Sequence, residues 1–215
     1  MSEKVGDIMS HYFTDNRQLA QNRKEISFRF SCFNFVFVSD NGVFCKDKID
    51  EGSIALLKTL SEYQLGKRIL DVGCGYGVIG ITLKKCFPES TVDMVEINPR
   101  AVELAQINAK KNKCDVHIFE SDIYSNVNCF NYTDIITNPP IRAGKKVIYK
   151  IFEEAYDHLD KNGALWVVIR KSHGALSACR FIEGIFGNCT ILNKEKGYYI
   201  LKSEKEIIDN LTQIR

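Results

Sequence analysis

No stretch of the chain approaches the roughly 20 apolar residues of a membrane span, and no repeat or low-complexity tract interrupts it. Its eight cysteines include no C-x-x-C pair, so neither a zinc-ribbon framework nor a dithiol redox motif is written into it. Most of them sit in apolar runs, where cysteine behaves as a small hydrophobe, and free thiols with no metal are expected. Net charge is almost absent, +2 from 29 basic and 27 acidic residues, so a nucleic-acid partner would have to be held by local charge. The start, Met1-Ser2-Glu3-Lys4, places acid early and is unlike a signal peptide. These absences leave a soluble intracellular protein, cytoplasmic by expectation, in which the sequons at Asn131, Asn188 and Asn210 carry no meaning. Proline is scarce too: there are four, and two of them adjoin at Pro139-Pro140.

What is present is an alternation. Strand-like runs near Ser27–Phe30 and Phe33–Ser39 precede the turn Asp40-Asn41-Gly42. A helix is predicted to open near Gly52-Ser53, with Ser53 as N-cap. Strands are then predicted at Arg68–Val72, Thr91–Val95, Val116–Phe119, Asp134–Thr137 and Ala164–Arg170. Helices fall between them, at Gly77–Phe87, Pro99–Asn112 and Lys146–Leu159, and another near Ala175–Phe186 follows. Strand-helix alternation predicts a doubly wound α/β fold with a mostly parallel sheet. The last two strands, Thr190–Asn193 and Gly197–Lys202, lie too close together for anything but a hairpin, so the sheet should finish antiparallel. Residues 1–60 read as a β-hairpin and helix extension packed on the core, and 61–215 as the catalytic domain.

After the first core strand comes Asp71-Val72-Gly73-Cys74-Gly75-Tyr76-Gly77, a loop that lets backbone approach a ligand at the start of a helix. A dinucleotide fold is one reading, because Gly75-Tyr76-Gly77-Val78-Ile79-Gly80 matches G-x-G-x-x-G and Glu96 follows where a ribose-binding acid is expected. Three features favour S-adenosylmethionine over a nicotinamide dinucleotide. The matching glycines begin late; Asp71 places a carboxylate beside the loop; and Asp122 adds an acid at a third strand end. A ligand carrying a sulfonium and an ammonium suits such a ring of acids. Glu96 is placed to accept from the ribose hydroxyls and Asp122 from the adenine amine, with Ile97 or Ile123 against the ring.

Asn138-Pro139-Pro140 follows the apolar run Asp134–Thr137. An Asn carbonyl beside a chain stiffened by two prolines is a fixed acceptor for a planar NH2 group. With the Pro139 carbonyl as second acceptor, it would let an exocyclic nitrogen pyramidalise toward a methyl donor. None of the four histidines, His11, His117, His158 and His173, forms a catalytic pair, and this chemistry needs none. Beyond the prolines, Arg142, Lys145 and Lys146, with Lys150 one helical turn further, could hold phosphates. Arg170 and Lys171 fall on the same carboxyl edge of the sheet; Trp166 reads as core, and Tyr198-Tyr199 carries little signal.

On these residues the chain resembles small-domain, class I (Rossmann-like) S-adenosylmethionine-dependent methyltransferases. It looks most like the small-subunit ribosomal RNA guanine-N2 enzymes and their single-domain relatives. The resemblance runs through Asp40–Phe44, Ile49–Ser53, Asp71–Gly77, Thr137–Lys145 and Lys196–Ser203. It implies S-adenosylmethionine as donor, a nucleobase amine in ribosomal RNA as acceptor, and a seven-stranded sheet with a reversed last strand. Asn138, Pro139 and Pro140 are then the catalytic segment, and Asp71, Gly73, Cys74, Gly75, Glu96, Ile97, Asp122, Ile123 and Asn138 the cofactor contacts. The same resemblance has Gly42–Phe44 and the Gly52 helix covering the cofactor. Substrate contacts would be Phe44, Ile141, Arg142, Lys145, Lys146 and Arg170. Ile141 stands where many amine methyltransferases carry a stacking aromatic. Adenine N6 or a protein amide would suit Asn-Pro-Pro equally. Two other classes stay open: a cofactor-binding RNA module without turnover, and an NAD-dependent oxidoreductase.

Overall fold

The computed structural model describes residues 20–206. Met1–Lys4, His11 and the Asn210 sequon lie outside them. The described residues open with an antiparallel hairpin, β1 (Lys24–Phe30) and β2 (Phe33–Ser39), followed by α1 (Glu51–Leu60). Pairing with β2 carries β1 three residues further back than its composition suggests, to Lys24. The helix starts earlier than predicted as well. Asp50, extended at φ −65° and ψ 135°, is its N-cap and accepts from Ser53 N at 2.9 Å, which makes Ser53 the third helical residue.

The core elements are β3 (Arg68–Val72), α2 (Val78–Cys86), β4 (Thr91–Glu96), α3 (Pro99–Lys111), β5 (His117–Glu120) and β6 (Tyr132–Thr137). They continue with α4 (Lys145–His158), β7 (Leu159–Arg170), α5 (Ala175–Phe186), β8 (Thr190–Glu195) and β9 (Tyr198–Glu204). The strands form one seven-stranded sheet in the order β5-β4-β3-β6-β7-β9-β8. All neighbours pair in parallel until β9, which runs antiparallel to both β7 and β8. The turn between β8 and β9 is two residues, Lys196 at φ 48° and Gly197 at φ 81°, the positive pair that matches strand twist in a tight hairpin. Strand β7 begins at Leu159, not Ala164, because Leu159 pairs with Tyr132 before the register shifts and Ala164 takes Asp134.

Apolar side chains fill both faces of the sheet. Leu56, Ile81 and Ala105 of α1, α2 and α3 pack on one face with Phe35 and Phe37 of the hairpin. Phe152 and Ile182 of α4 and α5 pack on the other. Trp166 is core, 2% exposed, its indole N–H donating to Asp134 Oδ1 at 2.9 Å. All eight cysteines are free. No described helix is long and apolar enough to cross a membrane.

The hairpin is fastened to α3 by side-chain amides that imitate a β-ladder. Asn108 accepts from Val38 N (2.6 Å) and donates to Val38 O (2.9 Å). One helical turn later, Asn112 accepts from Val36 N (3.0 Å) and donates to Val36 O (2.9 Å). Residues four apart on a helix are thus matched to residues two apart on a strand edge, and an exposed ladder is satisfied without another strand. Asn108 also donates to Tyr76 O at 2.8 Å, tying hairpin, helix and glycine loop together.

Candidate functional site

Strand order reverses between β3 and β6, and a cavity of about 820 Å³ opens at the carboxyl ends there, where ligands of open α/β sheets bind. Its wall includes Gly73, Cys74 and Gly75 after β3, Glu96 and Ile97 after β4, and Asp122 and Ile123 after β5. Asn138, Pro139, Pro140, Ile141 and Arg142 follow β6; Arg170 ends β7; and Phe44 comes from the segment after the hairpin. Five sequence-selected residues are elsewhere. Asp71 lies beneath the wall; Lys146, Lys150 and Lys171 are exposed away from it; and Lys145 sets its ammonium 4.8 Å from the Tyr149 ring centre.

The glycine loop turns its donors inward. Gly73 N and Cys74 N donate to Val95 O (2.9 and 3.0 Å), Gly75 N to Glu96 Oε2 (2.9 Å) and Gly77 N to Cys74 O (3.0 Å). Asp71, 0% exposed, accepts from Gly80 N at 2.9 Å, so a protein carboxylate already stands at the N-terminus of α2. A pyrophosphate would find these N–H groups taken and a carboxyl group in its place, which argues against a dinucleotide. Gly73 and Gly75, at φ +72° and +56°, have open space where a side chain would project, which leaves a cradle over the loop. Burial pushes the Asp71 carboxyl up to about 7, against the Gly80 bond that lowers it; its Oδ1 has no partner among the described residues.

Glu96 is held by backbone. Its Oε1 accepts from Ile97 N (2.9 Å) and Asn98 N (3.0 Å), its Oε2 from Gly75 N. Burial raises its pKa, and these three bonds oppose the rise. A carboxylate has about four acceptor positions, so one remains; a clasp on two hydroxyls would require one backbone bond to yield. Ile123 sits at φ +56°, costly for a β-branched residue, and is braced by Ser121 Oγ donating to its carbonyl at 2.9 Å. Phe44 and Ile97 remain 54% and 40% exposed while lining the cavity, two large apolar faces without packing of their own. The turn before Phe44 is bolted to α3: Asn98 Nδ2 donates to Gly42 O (3.1 Å) and Arg100 Nη1 to Asn41 O (3.0 Å).

At the other end of the cavity, Asn138 donates both amide hydrogens to the protein, to Asp50 Oδ2 at 2.8 Å and to Ser53 Oγ at 3.0 Å. Its Oδ1 has no protein partner among the described residues, and neither has the Pro139 carbonyl. Arg142, Arg170 and His173 share this part of the wall, and the Arg170 guanidinium lies 5.0 Å from the Tyr198 ring centre. The carboxyl edge therefore runs from acid, at β5 and β4, to base, at β6 and β7. Among the described residues, no group of His, Cys, Asp and Glu could hold a metal ion.

Asp50, Ser53 and Tyr198 line the cavity and were not singled out as site residues from sequence. The N-cap pattern Asp50-x-x-Ser53 was a signal for the first two. Tyr198 announces itself only through Gly52, where a Cβ would come 2.8 Å from Tyr198 Cε1.

A parallel sheet closed by a reversed strand, an inward-turned glycine loop and an Asn-Pro-Pro acceptor over one cavity define a methyltransferase-type α/β protein. The chain belongs to the methyltransferase small-domain family, whose model matches residues 34–202. It is 44% identical over 200 residues to the uncharacterized protein YbxB of Bacillus subtilis, covering 92% of this chain and all of that one. It is 35% identical over 168 residues to ribosomal RNA small subunit methyltransferase C of Vibrio parahaemolyticus, covering 76% of this chain and 48% of that protein. The chain thus spans about half the length of such relatives. The structure of the Thermus thermophilus 16S rRNA N2 G1207 methyltransferase, in complex with AdoMet and guanosine, superposes with a TM-score of 0.79 at 26% identity. That match covers 87% of this chain and 52% of the other. Family membership bears out the resemblance and removes the NAD-dependent reading.

Proposed function

We propose that the protein transfers a methyl group from S-adenosylmethionine to the exocyclic N2 amine of a guanine in ribosomal RNA. The observation that carries this reading is the Asn138 amide, both hydrogens tied back and Oδ1 turned to the cavity. Such a group can only accept, and it suits an acceptor that donates: a planar NH2. When bound, S-adenosylmethionine supplies an electrophilic methyl on a sulfonium. Asn138 Oδ1 accepts one N–H of the base amine and the Pro139 carbonyl the other, which draws the lone pair out of conjugation and aims it along the line of displacement. Fixed dipoles meet the positive charge that develops on nitrogen, and the surplus proton leaves to water.

The acid side of the cavity suits the donor. Glu96 and Asp122 would accept from its ribose and adenine, with Phe44, Ile97 and Ile123 as apolar faces and Gly73–Gly75 as the backbone cradle. The buried Asp71 lies beneath that cradle and holds Gly80 N, fixing the loop against α2. The basic side suits RNA: Arg142 and Arg170 on the wall, and Lys145 and Lys146 outside it, would hold phosphates flanking the target. The relatives named above, a ribosomal RNA small subunit methyltransferase and a 16S rRNA N2 G1207 methyltransferase, support the same acceptor.

The test is Asn138→Ala. Turnover on small-subunit ribosomal RNA should fall about 10²–10³-fold, the scale of one preorganised polar group, with S-adenosylmethionine affinity held. A collapse of that affinity instead would make Asn138 a cofactor ligand and refute the assignment.

A further inference from the structure

We propose that Asp50 is the positioning residue for Asn138, so that the segment preceding the α/β core completes the acceptor site. The proposal rests on the reading of Asn138 given above. Asp50 and Asn138 are 88 residues apart in sequence and 2.8 Å apart in space.

A carboxylate offers acceptors only. Asp50 Oδ2 receives Asn138 Nδ2 (2.8 Å), Ser53 N (2.9 Å) and, more distantly, Ser53 Oγ (3.4 Å). Ser53 Oγ in turn accepts the second Asn138 hydrogen at 3.0 Å. Reversing the amide would set Asn138 Oδ1 against a carboxylate oxygen at hydrogen-bond distance, acceptor to acceptor. That orientation is closed, and Oδ1 must face the cavity. A hydrogen bond from the NH2 to an anion also polarises the amide, enriching Oδ1 as an acceptor.

Asp50 is itself fixed. It caps α1, and the preceding residue, Ile49, is buried in the core at 6% exposure. Gly52 keeps the approach open: a Cβ there would stand 2.9 Å from Asp50 Oδ2 and 2.8 Å from Tyr198 Cε1. Tyr198, opposite Arg170 in the β7–β9 pairing, closes the far side. The acceptor clamp is therefore built from α1, β6 and β9 together, with its orienting charge supplied by the segment before the core.

The variant that separates this role from helix capping is Asp50→Ser. Its hydroxyl still caps Ser53 N but is too short to reach Asn138 as well. Two readouts apply to the 215-residue chain. The first is proton exchange of the Asn138 side-chain NH2, assigned in asparagine-labelled protein by its loss in Asn138→Ala. The second is single-turnover methyl transfer to small-subunit ribosomal RNA, with S-adenosylmethionine affinity measured in parallel. The NH2 protons should exchange about tenfold faster in Asp50→Ser. The transfer rate should fall about tenfold at unchanged cofactor affinity, and Asp50→Ser should add nothing in the Asn138→Ala background, because the two residues act as one unit. An equal loss in both backgrounds, or unchanged NH2 exchange, overturns the proposal. If the wild type transfers no methyl to the RNA, the acceptor reading fails, and the exchange measurement still decides the role of Asp50.

Discussion

Replacing Asn108 by alanine should loosen hairpin, glycine loop and cofactor pocket in one step. Asn108 is 0% exposed and makes three hydrogen bonds, two with Val38 and one with Tyr76 O. Its loss strands one N–H and two carbonyls, each costing about 1–3 kcal/mol when buried without a partner. Water entering the emptied space recovers part of the sum, so the expected destabilisation is about 3–5 kcal/mol. That is a large share of the ~5–15 kcal/mol that holds a domain together. For a chain of this length it corresponds to a fall in Tm on the order of 10 °C, measured by thermal and urea unfolding. Asn108→Asp should be worse at neutral than at acid pH, since an ionised carboxylate would face both carbonyls. S-adenosylmethionine affinity should weaken alongside, because Val38 leads into the Gly42–Phe44 segment and Tyr76 belongs to the loop. A fall in Tm of less than about 2 °C would refute the reasoning. It would mean that ring packing, such as Phe37 edge-on to Tyr76 at 6.3 Å, holds the hairpin without the amide ladder.

Glu96→Ala should weaken S-adenosylmethionine binding at least about tenfold, read by calorimetry, since it removes the acceptor proposed for the ribose and the brace on Gly75 N. Arg142→Ala combined with Lys145→Ala should weaken RNA binding and flatten its salt dependence by about one to two units of slope; an unchanged slope would route the phosphates elsewhere. The Asp71 carboxyl, raised by burial from its ordinary 3.8 to about 7, makes the folded state bind the extra proton between those values. Stability of the ligand-free protein should thus decline as pH rises from about 4 to about 7 and level off above, and Asp71→Asn should remove that component of the slope.

Much of the fold was legible because its signals are local. Hydrophobic alternation and length separated strands from helices, and a linker too short for a crossover announced the antiparallel finish. Boundaries moved where pairing decided them: β1 grew back to Lys24 on its partner, and β7 reached Leu159 through a register shift. Gly73, Gly75 and Glu96 could be placed because they end consecutive strands of a parallel sheet, which fixes their neighbourhood. The roles of Asp50, Asn108 and Tyr198 could not, because each depends on a partner from a distant element. An Asn on a helix face reads as solvated until a strand edge is found two bonds away. Asp71 was misplaced for a related reason: a strand-end carboxylate reads as facing the ligand, whereas here it folds under the loop to cap α2.

The most direct measurement incubates the purified protein with unmodified small-subunit ribosomal RNA and S-adenosylmethionine carrying a deuterated methyl, followed by digestion and mass spectrometry of the nucleosides. Label in N2-methylguanosine, lost in Asn138→Ala, is the expected result. Label in N6-methyladenosine would contradict the choice of base. No labelled nucleoside, with S-adenosylmethionine still bound, would contradict the claim that this cavity methylates RNA.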